Sequence, residues 1–296
     1  MKTNEISKLL KKHDIKVFSY KKENDFYVVD TNKGKFFVYE NINNKYIYNY
    51  LNTRSFDNYP KILIDDNYKI SKYIEDTDIP DEQKYNDLID LVSSLHSKTK
   101  FNKRVINDEY NNIYEKLERN YNYLFDYYNK IIDIIDHKIF LSPSDYLIAR
   151  NIGLVFDSLD LGKNYLEELK EDTEKVDKMK VSIINNNLTL SNFRRSDKSY
   201  LINWNKAKID IPIFDLYNFF QNNYNVDYFE ILKRYEKKYP LQDIEKKLLF
   251  VLLLMPNLID FNTSEYNMCK NIRINMNKLI NTQFMISKYK KSITKD

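Results

Sequence analysis

The side chains that most often do chemistry are scarce in this chain, and the scarcity limits the reactions open to it. Cys269 is the single cysteine, so neither an intramolecular disulfide nor a multi-cysteine metal site can form. His13, His96 and His137 are the only three histidines, and a zinc centre would need an unusual ligand set. Only 3 glycines occur, and neither G-x-G-x-x-G nor the Walker pattern is present, so the usual phosphate cradles are missing. What the chain concentrates instead is carboxamide. Asn185, Asn186, Asn187 and Asn192 stand in one loop, and Asn203 follows just ahead of Trp204. A carboxamide donates and accepts hydrogen bonds, but it carries no negative charge and is not a base near neutral pH. Three other polar groups read as structural. His96 suits a buried histidine tying a helix to a loop, Asp197 between Ser196 and Lys198 suits a hairpin turn, and Cys269 after Met268 suits a small buried hydrophobe.

The elements that must position these groups follow from periodicity. Lys16–Tyr20, Phe26–Asp30 and Lys35–Glu40 are β-rich runs, and Asn32-Lys33-Gly34 places a hairpin turn between the last two. A short helix over about Lys45–Asn52 and two more strands, Lys61–Ile64 and Tyr68–Ile74, complete a small antiparallel sheet. Near residue 75 the period becomes helical. Leu88, Leu91, Val92 and Leu95 line one face of a helix over Glu82–Lys98. Asp108–Asp136 is a second long helix, and Ser142–Lys170 a third, opened by Ser142-Pro143. Lys180–Ile184 and Tyr200–Trp204 read as short strands around the Asn-rich loop. Helices resume at about Pro212–Asn223, Tyr228–Lys238, Leu241–Leu254 and Thr263–Ser287. In Tyr110–Tyr128, Tyr114, Leu117, Tyr121, Leu124 and Tyr128 recur at helical spacing, which makes this tyrosine-rich stretch a packing face. The expected fold class is α+β: a small β-rich N-lobe over 1–74 and a helical C-lobe over 75–296.

Composition narrows the class further. With 296 residues and 43% hydrophobic content the chain can bury a substantial core. At 15% aromatic it is not disordered. The net charge of +4 is small, and Lys alternates with Asp and Glu, so no basic stripe asks for nucleic acid. Met1 leads into Lys2 and a polar, helix-like stretch rather than an apolar signal core. The longest apolar run, Leu248–Met255, is far short of the roughly 20 residues a membrane span requires. The expectation is a cytoplasmic protein with no membrane contact.

This order of elements resembles the protein-kinase-like fold of aminoglycoside and choline phosphotransferases. Residues 181–193 (Val-Ser-Ile-Ile-Asn-Asn-Asn-Leu-Thr-Leu-Ser-Asn-Phe) resemble that group's H-G-D-x-x-x-x-N loop. Leu201-Ile202-Asn203-Trp204 resembles its I-D-W/F, Pro212-Ile213-Phe214-Asp215-Leu216 its P-x-x-D-L, and Leu95-His96-Ser97 its L-H-S. The stretch Tyr239–Glu245 with Leu248–Pro256 is most similar to the spore-coat (CotS-type) branch, which would make the protein spore-associated. In such kinases a strand lysine holds the nucleotide phosphates and a loop Asp handles the substrate hydroxyl. An Asn and a second Asp hold magnesium. Carried over residue by residue, the resemblance puts Tyr39 at the lysine and Asn187 at the loop Asp. Asn185 and Asn186 stand at its His and Gly, Asn192 at the metal-binding Asn and Asn203 at the metal-binding Asp. Tyr73 and Ile74 fall in the hinge where an adenine would lie. Asp215 would anchor the helix it begins, and Trp204 reads as core.

Of the four polar parts only Asn192 matches. Magnesium is usually held by one or two carboxylates, Tyr39 is neutral where an ammonium is wanted, and the helix Lys45–Asn52 has no Glu to pair with it. The reading is a catalytically inactive kinase-like protein with no metal, a binding or scaffold module for a protein partner. Any ATP it takes would bind weakly at Asn192, Tyr73 and Ile74 and without magnesium. The alternative is a small-molecule phosphotransferase with displaced groups, Lys35 for phosphate and Asp197 or Asp210 for metal.

Overall fold

The computed structural model describes residues 3–23, 25–40, 45–65, 67–104, 109–174 and 176–293. By internal contact the chain divides into two compact units, one of residues 1–100 and 182–210, the other of 101–181 and 211–296.

The first unit is organised by a five-stranded sheet. Its strands β1 (Val17–Glu23), β2 (Phe26–Thr31), β3 (Gly34–Glu40), β4 (Ile62–Asp65) and β5 (Tyr68–Lys72) lie in the order β1-β2-β3-β5-β4, every pair antiparallel. Gly34 makes the β2–β3 hairpin, with a φ of 98° that a side chain would strain. Strand β3 supplies both faces of the sheet at once, because successive side chains point opposite ways. Phe36 and Val38 join Val29, Tyr68 and Ile70 under helix α1 (Thr3–Lys12), whose Ile6, Leu9 and Leu10 recur at helical spacing. Phe37 and Tyr39 point the other way, into a second cluster with Phe26, Val28 and Ile202. A strand buried on both faces carries a continuous apolar run, as Phe36–Tyr39 does.

Helices α2 (Lys45–Thr53) and α3 (Asp81–Thr99) follow, close to the expected bounds. The pairing of Asp210 to Ser182, Ile209 to Ile183 and Lys208 to Ile184 joins β7 (Lys178–Ile184) to β10 (Lys208–Asp210) within this unit. A two-stranded hairpin, β8 (Phe193–Arg195) and β9 (Ser199–Leu201), lies between them in sequence, and its turn spans Asp197 as the sequence suggests. The second strand ends at Leu201 instead of Trp204, because Asn203 takes a left-handed φ of 57° that no strand accommodates.

The second unit is helical: α4 (Glu109–Asp136), α5 (Pro143–Thr173), α6 (Ile213–Asn222), α7 (Tyr228–Glu236), α8 (Asp243–Leu254) and α9 (Glu265–Ile293), with a short strand β6 (Phe101–Arg104) paired to the first half of β7. Ser142 caps α5: its hydroxyl accepts from the Asp145 amide and the Asp145 carboxylate accepts from the Ser142 amide. Helix α8 is buried along Leu248–Leu254, the all-round apolar pattern of a central helix. The tyrosine-rich face of α4 is core, as its spacing implies. Tyr121 lies against Gly162 of α5, where a Cβ would stand 2.0 Å from its hydroxyl. Among the described residues no helix is long and apolar enough to cross a membrane.

Candidate functional site

All of the carboxamides singled out from sequence sit in the first unit, on the chain between β7 and β10. After Ile184 the backbone turns through Asn186 at a φ of 56°, a conformation Asn tolerates better than most residues. A single 3₁₀ turn, Leu190–Asn192, leads into β8. The Asn192 amide group donates to the Asn187 carbonyl at 2.9 Å, and the Asn192 carbonyl accepts from the Ile202 amide at 2.8 Å. Asn185 donates over a long 3.5 Å to the carbonyl of Asn203. These side chains brace the loop. Asn185, Asn192 and Asn203 are all buried.

Opposite the loop in the same unit, the inner face of the sheet is filled with rings. Phe26 and Phe37 meet edge to face at 5.6 Å between centroids, and Tyr39 lies 5.3 Å from Phe26. Tyr73 comes within 4.8 Å of Phe37, and Ile202 and Ile74 pack on the same cluster. Such aromatic pairs contribute about 0.5–1.5 kcal/mol each beyond the area they bury. Arg194 closes the edge of this cluster. Its guanidinium lies 6.0 Å from the Phe37 ring centre, donates to the carbonyls of Ser191 and Phe193, and reaches Glu23 of β1 at 3.3 Å. Burial, with Tyr48 nearby, drives the Tyr39 phenol far above its ordinary range, so the group is neutral across the range of pH in which proteins fold.

Buried polar atoms in this region are incompletely satisfied. The Tyr39 hydroxyl, the Ser71 hydroxyl and the Oδ1 atoms of Asn192 and Asn203 have no hydrogen-bond partner among the described residues. The polar neighbours of Tyr39 are Ser71 and the Asn203 backbone. Unsatisfied buried groups of this kind mark sites that hold water or a ligand. Asn192 and Asn203 offer neutral oxygens, where magnesium is usually held by one or two carboxylates. Among the described residues no three His, Cys, Asp or Glu side chains are grouped as metal ligands would be.

A cation that sequence reasoning missed stands beside Tyr39. Lys69 pairs with Tyr39 across β3 and β5, and paired residues share a face. Its side chain is buried, with Nζ 4.6 Å from the centre of the Tyr48 ring on α2. The antiparallel register of the two strands was the signal that could have found it. Arg194 carried no signal in sequence.

The remaining candidates have local partners. Lys35 lies 5.7 Å from the Tyr73 ring centre. Asp197 accepts from the Tyr200 hydroxyl at 2.9 Å within its own hairpin, and Asp210 pairs with Lys208 at 2.5 Å. His96 and Trp204 are buried, the indole donating to the Leu201 carbonyl. In the second unit Asp215 is buried in the first turn of α6, but it is not the cap, since the helix begins after Pro212 with no side-chain cap. Cys269 is only partly buried, with its thiol 3.8 Å from Glu265, because its face of α9 is not covered.

No protein-family model matches the chain, and no curated protein sequence does. Solved structures do. An aminoglycoside phosphotransferase from Alicyclobacillus acidocaldarius superposes over 95% of this chain and 93% of its own, with a TM-score of 0.71 at 9% identity. The chain has the protein-kinase-like phosphotransferase fold. An AMP-bound spectinomycin phosphotransferase matches with a TM-score of 0.58 at 12% identity, covering 95% of this chain and 98% of its own. A microcompartment-associated aminopropanol kinase matches with a TM-score of 0.53 at 11% identity, covering 96% and 98%. At these identities the kinase-like fold is the whole content of the likeness, and the small antiparallel sheet and the large helical part correspond to its two lobes.

Proposed function

We propose that the chain is a kinase-fold binding module that does not transfer phosphate and acts as a scaffold for a protein partner. One observation carries this reading: Tyr39 and the rings of Phe26 and Phe37, with Ile202, fill the inner face of the sheet on which this fold holds a nucleotide. A buried neutral phenol cannot hold phosphates as an ammonium does. Asn187 supplies no general base, a contribution worth roughly 10²–10⁴ in rate. Asn203 supplies no charge for a metal. The similarity of Tyr239–Pro256 to the spore-coat branch makes a coat-like assembly the setting we favour.

The test is a thermal-shift screen of the intact protein with ATP, with magnesium and with chelator, beside turnover assays on aminoglycosides, choline and related alcohols. A ligand stabilises a fold by RT ln(1 + [L]/Kd), so a site that scarcely binds magnesium gains almost nothing from it. Equal melting temperatures in all conditions and no turnover are expected. Magnesium-dependent stabilisation by ATP, or turnover lost on changing a residue of the site, would overturn the proposal. Lys69 favours a second reading, a phosphotransferase with a displaced cation, because it lies one strand from Tyr39 on the same face. Under that reading turnover is present and Lys69→Ala abolishes it.

A further inference from the structure

One groove of the sheet unit holds positive charge that its own walls do not balance. It lies between α1 and the start of β1, encloses about 530 Å³, and is lined by Lys8 and Lys11 of α1 and by Asp14, Ile15, Lys16 and Val17. All three lysines are exposed, and none of them forms an ion pair among the described residues. Asp14 is the one carboxylate on the wall. Glu5, the acid of α1, is taken by the Tyr68 hydroxyl of β5 at 2.6 Å. Three lysines against one aspartate give the groove +2, half of the chain's net +4. Like charges gathered in a concave site draw an anion more strongly than the same charges spread over a surface.

The groove opens onto an unpaired strand. β1 is an outer strand of the sheet, and no strand pairs with its far edge, which leaves a row of main-chain donors and acceptors. The register shifts between Val17 and Ser19, and Val17 and Tyr20 both pack on the cluster under α1. On the α1 face the edge therefore offers an apolar floor, Ile15 and Val17, beside the lysines. An extended peptide laid along β1 would place every second side chain on that face. The occupant follows from these features together. A second copy of the same edge would set lysine against lysine, which is destabilising. A polynucleotide or an anionic lipid surface could meet the ammonium groups, but it would leave the strand edge unpaired and the floor uncovered. An acidic peptide strand answers all three.

We infer that this groove docks an acidic protein segment that adds to β1 as a further strand, with carboxylates at alternate positions facing Lys8, Lys11 and Lys16. The inference rests on the scaffold role proposed above for the existence of a partner, and it supplies that partner's class and the place it occupies. No residue of the groove belongs to the Tyr39 cluster or to the carboxamide loop.

Fluorescence anisotropy of a labelled peptide of alternating Glu and Val, titrated with the full chain, tests it. The peptide is expected to bind, and to bind more weakly as salt is raised. K8E/K11E should weaken binding at least ~10-fold with an unchanged melting temperature, because both side chains lie in solvent; K8Q/K11Q should show a smaller loss in the same direction. The same peptide with proline in place of valine is expected not to bind, since proline has no N–H to offer the strand edge. No binding of the Glu-Val peptide, or equal binding by K8E/K11E or by the proline peptide, would overturn the inference. So would displacement of the peptide by phosphatidylserine vesicles or single-stranded DNA at lower concentrations than unlabelled peptide requires, which would give the groove to that class instead. Turnover and magnesium-dependent melting are read separately. A protein that binds the peptide and also turns over a substrate would refute only the absence of phosphate transfer, and an inactive protein that ignores the peptide would refute only the docking site.

Discussion

Buried tyrosines divide the molecule into two kinds of region. In the helical unit four large buried phenols reach a partner: Tyr121 donates to the Val251 carbonyl at 2.6 Å, Tyr128 to that of Asn257, Tyr228 to that of Phe220, and Tyr239 to Glu245. In the sheet unit Tyr39 is buried too, but its hydroxyl makes no well-formed hydrogen bond among the described residues, with only Ser71 and the Asn203 backbone close to it. Residue type and burial are the same; satisfaction differs. A phenol buried with its partner is part of a core, because desolvation is offset by the bond made inside. A cluster of polar groups buried without partners marks a place where packing was not the only requirement.

The comparison is most severely tested at Gly162. Alanine is about 1 kcal/mol better than glycine within a helix, yet a methyl here would strike a Tyr121 hydroxyl already fixed by its bond to Val251. Gly162→Ala is expected to cost on the order of 3 kcal/mol, read as a lower denaturation midpoint at constant slope. A neutral result would mean the helical core is looser than its hydrogen bonds imply.

The paired removal of hydroxyls comes next. Tyr121→Phe strands a buried carbonyl and should lose about 1–2 kcal/mol, whereas Tyr39→Phe removes an unsatisfied group and should be neutral or stabilising by up to ~1 kcal/mol. If both variants lose alike, the Tyr39 hydroxyl has a bound partner and the distinction fails. Charging the polar cluster sharpens it from the other side. The double variant N187D/N203D is expected to show a larger magnesium-dependent rise in melting temperature than the parent, because it introduces two carboxylates and their mutual repulsion. Under the function proposed above, this variant shows no turnover, because Tyr39 remains. Indifference of this variant to magnesium would separate these positions from the metal-binding place that the resemblance assigns to Asn203.

The smallest effect concerns Asp145. Burial works against its ionisation, but Lys138 and the Ser142 amide outweigh it and hold its carboxyl below the ordinary range. A depressed folded value means that the carboxylate stabilises the fold above the unfolded value, and that this contribution fades as pH falls through the folded one. The parent should therefore lose stability below about pH 4 that Asp145→Asn does not, and the variant should cost roughly 1 kcal/mol at pH 7. Parallel pH profiles for the two proteins would refute the capping role.

Much of the fold was legible before the structure. The strands flanking Gly34, the helix start at Ser142, and the core face of α4 follow from periodicity and turn chemistry acting over many residues. The strands β6, β8 and β10 left no such trace, since three or four residues hold too few alternations to register. Within the candidate site, Tyr39 and the carboxamides could be named in advance because the resemblance is carried by motifs in fixed order along the chain. Lys69 and Arg194 were not, because their meaning comes from what stands across the sheet and not from their neighbours in sequence. The exposure of Cys269 was misread for a related reason: a helix has two faces, and one residue does not say which is covered.

The sheet unit is discontinuous in the chain, residues 1–100 returning only at 182–210. During synthesis Phe26, Phe37 and Tyr39 leave the ribosome some 160 residues before Ile202, the side chain that completes their cluster. At bacterial or eukaryotic elongation rates that interval lasts roughly 10–30 s, during which an aromatic sheet face stays open to solvent. The nascent chain thus carries a sticky surface for long enough to need a chaperone, and truncations ending anywhere before residue 202 should be held by one.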